Sequence, residues 1–250
     1  MPFTSKATLI AFQGDAERYP CHAMLEIGEE LIFDGGELRG KMCPDMFAPL
    51  AQALFNVYVA GPRYQNLGYY NLFWYSVNSY TDPSKDVYSG KGFTPIDEEF
   101  DEPKYHVRCL QDPNAFRSPP MEGRPVMKDY CVLCPDGRTG ALFKIEAIDL
   151  APGGHATPYY RREITIMDRV YKTGGPVAVD KITDLYTEWE VHEIYPTLTQ
   201  PMIDPMLEEL ELLGFAKVED GMVTVTQKGA DRVERFKAEE PPEVIEALKI

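Results

Sequence analysis

The sequence predicts an α+β fold in two domains. Residues 1–154 are expected to form a mixed α/β domain with a Cys-rich site and an insert at about 62–125, and residues 155–250 a mainly helical second domain. The first half contains short apolar runs typical of strands, whereas apolar residues in the second half recur at helical spacing. Between the two halves, Ala151-Pro152-Gly153-Gly154 is the clearest candidate for a domain boundary.

In the first domain we expect strands and one long helix. Residues 6–13 and 24–34 have the composition of strands, and residues 141–148 should form a further strand with one apolar face. A helix should begin at Pro44, because a first helical turn needs no amide donor there, and should end near Gly61. One face of this helix is apolar at helical spacing: Met46, Leu50, Leu54, Val57 and Tyr58.

The insert is rich in aromatic residues. Its tyrosine, phenylalanine and tryptophan residues are interleaved with Gly and Asn, and a proline-containing stretch follows them. These rings can pack on a neighbouring sheet, or they can line a pocket for a small aromatic or organic-acid ligand. For the pocket, the candidate substrate-binding residues are Tyr64, Tyr70 and Trp74.

The cysteines provide the clearest chemical signal. Cys131 and Cys134 are separated by two residues and followed by Pro and Gly, a pattern typical of a metal-binding knuckle. The predicted metal ligands are Cys109, Cys131 and Cys134, with either His106 or Cys43 as the fourth. Thiolate ligands favour zinc or an iron–sulfur cluster over magnesium or calcium. Four protein ligands would make a closed structural site, whereas three would leave a position open for chemistry.

Two other interpretations of the cysteines stay open. The thiols can simply be buried, with no metal bound. One of them can also act as a nucleophile, which requires a nearby His and a lowered pKa. Cys21 and His22 are neighbours in the sequence, but adjacent side chains usually point apart.

Charge and composition argue against several classes of function. The net charge of −15 opposes non-specific attraction to nucleic acid or to anionic membranes. No apolar run approaches the ~20 residues needed to span a bilayer, and the first residues do not resemble a signal peptide. An odd number of cysteines, five, does not suggest a disulfide framework. We therefore expect a cytoplasmic protein. No phosphate loop, dinucleotide motif or serine nucleophile elbow is present.

In the second domain we expect a succession of helices and a hairpin. After a first helix come a short extended piece at 177–179 and a second helix at 180–186. A third helix should begin at Asp204-Pro205, with Asp as the cap and Pro in the first turn. Asp220-Gly221 predicts a tight hairpin turn, and residues 228–238 a closing helix. The apolar faces of the first and third helices are Tyr160, Ile164, Met167 and Tyr171, and Met206, Leu207, Leu210 and Leu213.

Over about residues 158–240, this order of elements resembles a winged-helix domain. An extra segment at 187–196 separates the second and third helices. The residues that carry the resemblance are Gly174-Gly175-Pro176-Val177, residues 210–215, Asp220-Gly221 and Thr226-Gln227-Lys228-Gly229.

The winged-helix resemblance implies DNA binding through the third helix. However, residues 199–214 contain no Lys or Arg, and residues 155–250 contain 11 Lys and Arg against 19 Asp and Glu. This charge favours a module for protein contact or dimerisation over a nucleic-acid binder.

Without the insert, residues of about 16–150 resemble a family of small, uncharacterised prokaryotic proteins. Members of this family carry two Cys-Pro elements around one helix. The matching elements here are Gly40-Lys41-Met42-Cys43-Pro44 and Cys134-Pro135-Asp136. The resemblance implies that Cys43 and Cys134 belong together, and it brings no established reaction.

Three functional hypotheses follow. The first is a cytoplasmic metal-binding or redox-linked accessory protein, whose acidic winged helix contacts a protein partner or a second copy of the chain. The second is a metal- or thiol-dependent enzyme acting on a small organic substrate, with its site between the cysteines and the aromatic stretch. The third is a metal- or redox-responsive transcription regulator, which the acidic third helix argues against.

Overall fold

The computed structural model describes residues 2–12, 16–66, 70–71, 94–95, 130–136 and 139–250. It is a mixed α+β structure with antiparallel sheets, which confirms the fold class at that level. The chain divides into two compact units, each made of more than one stretch. One consists of Met1–Thr4, Phe33–Leu38 and Ile148–Ile250, and the other of Ser5–Ile32 and Arg39–Ala147.

The strands of the described residues form three sheets. They are β1 Phe3–Phe12, β2 Glu30–Phe33, β3 Leu38–Arg39, β4 Tyr70–Asn71, β5 Thr94–Pro95, β6 Tyr130–Leu133, β7 Ala141–Leu150, β8 Val177–Ala178, β9 Ala216–Glu219 and β10 Met222–Val225. The largest sheet has the order β3-β2-β1-β7-β6, the second has the order β8-β10-β9, and β4 pairs with β5. β6 runs antiparallel to β7, with Cys131 opposite Lys144.

Six α-helices are present in the described residues. They are α1 Phe47–Ala60, α2 Thr157–Lys172, α3 Glu188–His192, α4 Gln200–Leu212, α5 Gln227–Glu239 and α6 Pro242–Leu248. Short 3-10 helices cover Pro44–Met46, Gly61–Asn66, Gly154–Ala156 and Val179–Leu185. None of the described helices combines the length and the apolar character needed to cross a membrane.

The predicted helix of the first half is confirmed. The 3-10 turn at Pro44–Met46 leads directly into α1, and the chain leaves α1 at Gly61, which adopts a φ of +60°. All five residues of its predicted apolar face are buried, because their spacing keeps them on one side of the helix. The strand predicted at 24–34 is shorter than expected, since only Glu30–Phe33 of that range pair as a strand.

In the second half, α4 begins earlier than predicted. Its N-cap is Thr199, and Pro201 takes the place in the first turn that the sequence assigned to Pro205. Pro205 lies inside the helix and is buried, together with the predicted apolar face. The residues predicted as a second helix form the 3-10 helix Val179–Leu185 instead.

The face predicted for the first helix of this half holds except at its end. Tyr160, Ile164 and Met167 are buried on α2, but Tyr171 is exposed in the last turn. The predicted hairpin is confirmed, because Asp220 and Gly221 both have positive φ, at 51° and 73°, as a two-residue type I′ turn requires.

Two glycine pairs approach each other backbone to backbone. Asp34 Oδ1 accepts hydrogen bonds from the N–H groups of Gly36 and Glu37, each at 2.9 Å, which shapes the turn after β2. The Gly153 N–H donates to the Asp34 carbonyl at 3.2 Å. A Cβ at Gly153 would lie 2.7 Å from the Gly36 nitrogen, closer than any side-chain carbon can lie to it. Glycine is therefore a packing requirement at this contact.

We predict that Gly153→Ala lowers the free energy of unfolding by about 2 kcal/mol, because the added methyl group forces the two backbones apart. Gly175→Ala is the matched control, since a Cβ there meets no atom within 4 Å. Its effect should stay within about 0.5 kcal/mol. Chemical denaturation of both variants measures the difference, and equal stabilities would contradict the contact.

A pair of buried carboxyl groups lies between α2 and α4. The side chains of Glu163 and Glu209 are both buried and hydrogen-bonded to each other. Burial raises the pKa of Glu163 well above its usual 4.5, and the charge and hydrogen bond of Glu209 raise it further. Glu163 therefore stays protonated in the folded protein at pH values at which it ionises in the unfolded chain.

The raised pKa of Glu163 gives stability a definite pH dependence. Below its unfolded pKa the group is protonated in both states, and above that pKa unfolding releases a proton, so its contribution to stability is lost as pH rises. We expect Glu163→Gln to raise the free energy of unfolding at pH 7 by about 1 kcal/mol, and by less at pH 4. Denaturation at several pH values tests this, with Glu219→Gln, on an exposed strand end, as control. A benefit that grows toward acid pH would contradict the assignment.

Candidate thiol site

Two thiols from other parts of the chain, Cys43 and Cys21, lie close enough to act electrostatically on Cys134. Burial raises the pKa of Cys134, a hydrogen bond from the backbone of Asp136 lowers it, and the charges of Cys43 and Cys21 raise it again. All three cysteines are free; Cys43 is buried, and Cys21 and Cys134 are half-buried. We call Cys134, Cys43 and Cys21 the thiol cluster, because the last two act electrostatically on the first.

Each Cys-Pro element holds its thiol in a defined backbone conformation. Cys43 is extended, with φ −82° and ψ 130°, the region that a following Pro enforces, and it ends the loop just before the 3-10 turn. Cys134 follows β6, and its N–H donates to the carbonyl of Ala141 at 2.8 Å. The N–H of Gly140 donates to the Asp136 carbonyl at 2.8 Å and closes the turn between β6 and β7.

The loop that carries Cys21 is tied down at several points. Thr139 Oγ1 donates to the carbonyl of Tyr19 at 2.8 Å. The N–H of Met24 donates to the Cys21 carbonyl at 2.8 Å, and Lys41 Nζ donates to the Met24 carbonyl at 2.6 Å. These bonds hold the Cys21 loop beside the β6–β7 turn, where Cys134 lies.

The predicted ligands are only partly brought together. Cys131 lies within β6, whereas Cys134 follows the strand and lies outside it. The thiols that act electrostatically on Cys134 are Cys43 and Cys21. His106 and Cys109 lie outside the described residues.

Sequence reasoning did not place Cys21 in the cluster. The only local signal is Pro20-Cys21, which puts a proline beside this cysteine as beside the other two. Nothing in its spacing from Cys43 or Cys134 indicates that the three meet, since the contact depends on how β1, β6 and α1 are arranged.

The described side chains do not provide a complete set of metal ligands at the thiol cluster. Across the described ranges, no group of three or more His, Cys, Asp or Glu side chains is arranged to hold a metal ion. Cys43 and Cys21 act electrostatically on Cys134, but the three thiols do not form such a group in the part of the chain that the structure describes.

The predicted substrate-binding residues cannot be assigned to a pocket. Tyr64 lies in the 3-10 helix Gly61–Asn66 and Tyr70 in β4, but only their backbones are described, and Trp74 lies outside the described residues. Their role stays a prediction.

We predict that Thr139→Val loosens the Cys21 loop. The isosteric valine removes the hydrogen bond to Tyr19 and should lower the free energy of unfolding by about 1 kcal/mol, while hydrogen exchange of the loop amides becomes faster. Thr139→Ser keeps the hydroxyl and is the matched control. Equal exchange rates in the two variants would rule out this bond as the tether of the loop.

No protein-family model matches the sequence. Neither a curated protein nor a solved structure matches it either. What the chain does therefore has to be inferred from its own residues and their geometry.

Proposed function

We propose that the chain is a cytoplasmic metal-binding or redox-linked accessory protein. Its first half holds a thiolate centre built on Cys43 and Cys134, and its second half is an acidic winged-helix domain that contacts another protein or a second copy of the chain. The single observation that carries the first part of this proposal is the electrostatic effect of two thiols, Cys43 and Cys21, on Cys134.

The chemistry of the thiol cluster supports this role. Cysteine thiolates are preferred ligands of zinc and of iron–sulfur clusters, and two nearby thiols can also form a reversible disulfide. The hydrogen bond from the Asp136 backbone to Cys134 is the type of contact that stabilises a metal-bound thiolate.

The order of elements in the second half supports the winged-helix assignment. Helix α2, strand β8, the 3-10 helix, α4 and the β9–β10 hairpin follow one another, and β10 lies between β8 and β9 in the sheet. In this arrangement α4 would be the third helix, which in DNA-binding members enters the major groove. Because α4 carries no Lys or Arg, we favour a protein partner over nucleic acid.

The test of the thiolate centre is metal analysis of protein purified without oxygen. We expect about one zinc, or iron with visible absorption near ~400 nm, per chain, and its loss in Cys134→Ser and Cys43→Ser. Cys131→Ser is the matched control, because Cys131 lies within β6 and is not among the thiols that act on Cys134, so its loss should leave the metal content unchanged. Circular dichroism confirms that each variant is folded.

A redox role gives a different result in the same samples. If no metal is present, mild oxidation should form a reversible disulfide between two members of the thiol cluster, identified by mass spectrometry. The absence of both metal and disulfide would overturn the proposed centre. Loss of metal in Cys131→Ser but not in Cys134→Ser would instead restore the knuckle that the sequence alone predicted.

A further inference from the structure

Residues 187–196, which include α3 and lie between the 3-10 helix Val179–Leu185 and α4, are held rigidly. Thr187 and Glu190 form a capping box at the start of α3. Arg169 donates to Glu190 at 2.7 Å. Burial by itself would raise the pKa of Glu190, but hydrogen bonds from Thr187 and the charge of Arg169 lower it to about 2. The carboxylate therefore stays charged and fixes α3 at neutral pH.

A buried arginine fixes the rest of the segment. Arg162 Nε donates to the carbonyl of Pro196 at 2.9 Å, and its Nη2 donates to the carbonyl of Glu190 at 2.7 Å and also to that of Ile194. A buried guanidinium that gives its donors to backbone carbonyls sets the path of a loop rather than forming an ion pair. Residues 187–196 are thus a structured platform and not a loose connection.

This platform presents two large aromatic side chains to solvent. Trp189 is 59% exposed and Tyr195 is 67% exposed. The hydroxyl group of Tyr195 is 2.9 Å from that of Tyr159 on α2, which restricts the orientation of its ring. Exposed Trp and Tyr on a rigid support are typical of binding hot spots, because little conformational entropy is lost when a partner covers them.

The acidic residues near the platform indicate the charge of the partner that it would bind. Residues 182–216 contain eight Asp and Glu and no Lys or Arg. Of these eight, Glu190 and Glu209 are buried, while Glu188 and Glu193, one and two positions along the chain from Trp189 and Tyr195, are exposed. Lys249 Nζ lies 5.8 Å from the centre of the Trp189 ring and 3.6 Å from Glu190, so a cation already stacks on this surface within the chain.

We propose that this platform binds a basic segment of another protein. Lysine or arginine side chains of that segment would stack on Trp189 and Tyr195 and pair with Glu188 and Glu193. A second copy of the chain is disfavoured as the occupant, because two chains of net charge −15 repel each other. The inference rests on the proposed role of the second half in protein contact, and it adds the chemistry of the partner.

The test uses a short blocked peptide of lysine, alanine and leucine, with a glutamate-for-lysine peptide as control. The chain has two tryptophans, so its indole N–H signals can be followed by NMR, and Trp189→Phe identifies the signal of Trp189. We expect the lysine peptide to shift that signal saturably, and salt to weaken the binding. The glutamate peptide should have no effect.

The aromatic variants keep the net charge and therefore separate stacking from general attraction. Tyr195→Ala and Trp189→Ala should weaken binding of the lysine peptide, measured calorimetrically, by about tenfold. Tyr171→Ala removes an exposed aromatic on α2 outside the platform and should bind like the wild type. Lys249→Ala removes the internal cation and should bind at least as tightly. Weaker binding by Lys249→Ala would contradict the idea that Lys249 occupies the position of a cation from the partner.

Three results would overturn the proposal itself. They are no shift with the lysine peptide, equal affinity of Tyr195→Ala and wild type, and a dimer in sedimentation that Trp189→Ala dissociates. Metal content measured on the same samples keeps the thiolate centre separate, since the platform variants leave the cysteines intact. If the lysine peptide does not bind but metal is present, the proposed thiolate centre is still supported. If the peptide binds but no metal is present, the proposed platform is still supported.

Discussion

The contact between the turn after β2 and the glycines after β7 is the constraint on which the C-terminal unit depends. Gly153 and Gly154 lie against Gly35 and Gly36 with no room for a Cβ, and Asp34 holds both backbones by hydrogen bonds. This contact fixes the point at which the chain leaves β7 and turns into α2. Near the end of β7, Asp149 forms ion pairs with two residues of α5, Arg232 at 2.9 Å and Arg235 at 2.6 Å. These ion pairs anchor α5 beside the end of β7.

Buried polar groups organise the helices around that point. Each contributes in a different way. Arg162 shapes a loop by donating to its backbone carbonyl groups, and Glu190 stays ionised because Thr187 and Arg169 donate hydrogen bonds to it. Burial and the hydrogen bond to Glu209 raise the pKa of Glu163. Replacing such groups by apolar ones is often neutral or stabilising, so their presence does not by itself signal stability. Here they determine which helix faces pack against each other. Trp189 and Tyr195 remain exposed to solvent.

The thiol cluster shows how far spacing can predict a site. The pair Cys131 and Cys134 has the spacing of a knuckle, and in the structure Cys131 lies in the paired strand β6 while Cys134 directly follows that strand. The thiols that act electrostatically on Cys134 are Cys43 and Cys21, which come from other parts of the chain. The resemblance to proteins with two Cys-Pro elements implied that Cys43 and Cys134 belong together, and that pairing stays a prediction.

By itself the sequence determined the features that depend on a few neighbouring residues. These include the apolar face of α1, the hairpin at Asp220-Gly221 and the mixed α+β class, since periodicity and turn chemistry act over one or two turns of chain. The start of α4 was misplaced because two prolines, four residues apart, carry the same local signal. Only the tertiary structure brought Cys21 to Cys134 and Glu163 to Glu209, because contacts between distant residues follow from the order of strands and helices, which no local pattern specifies.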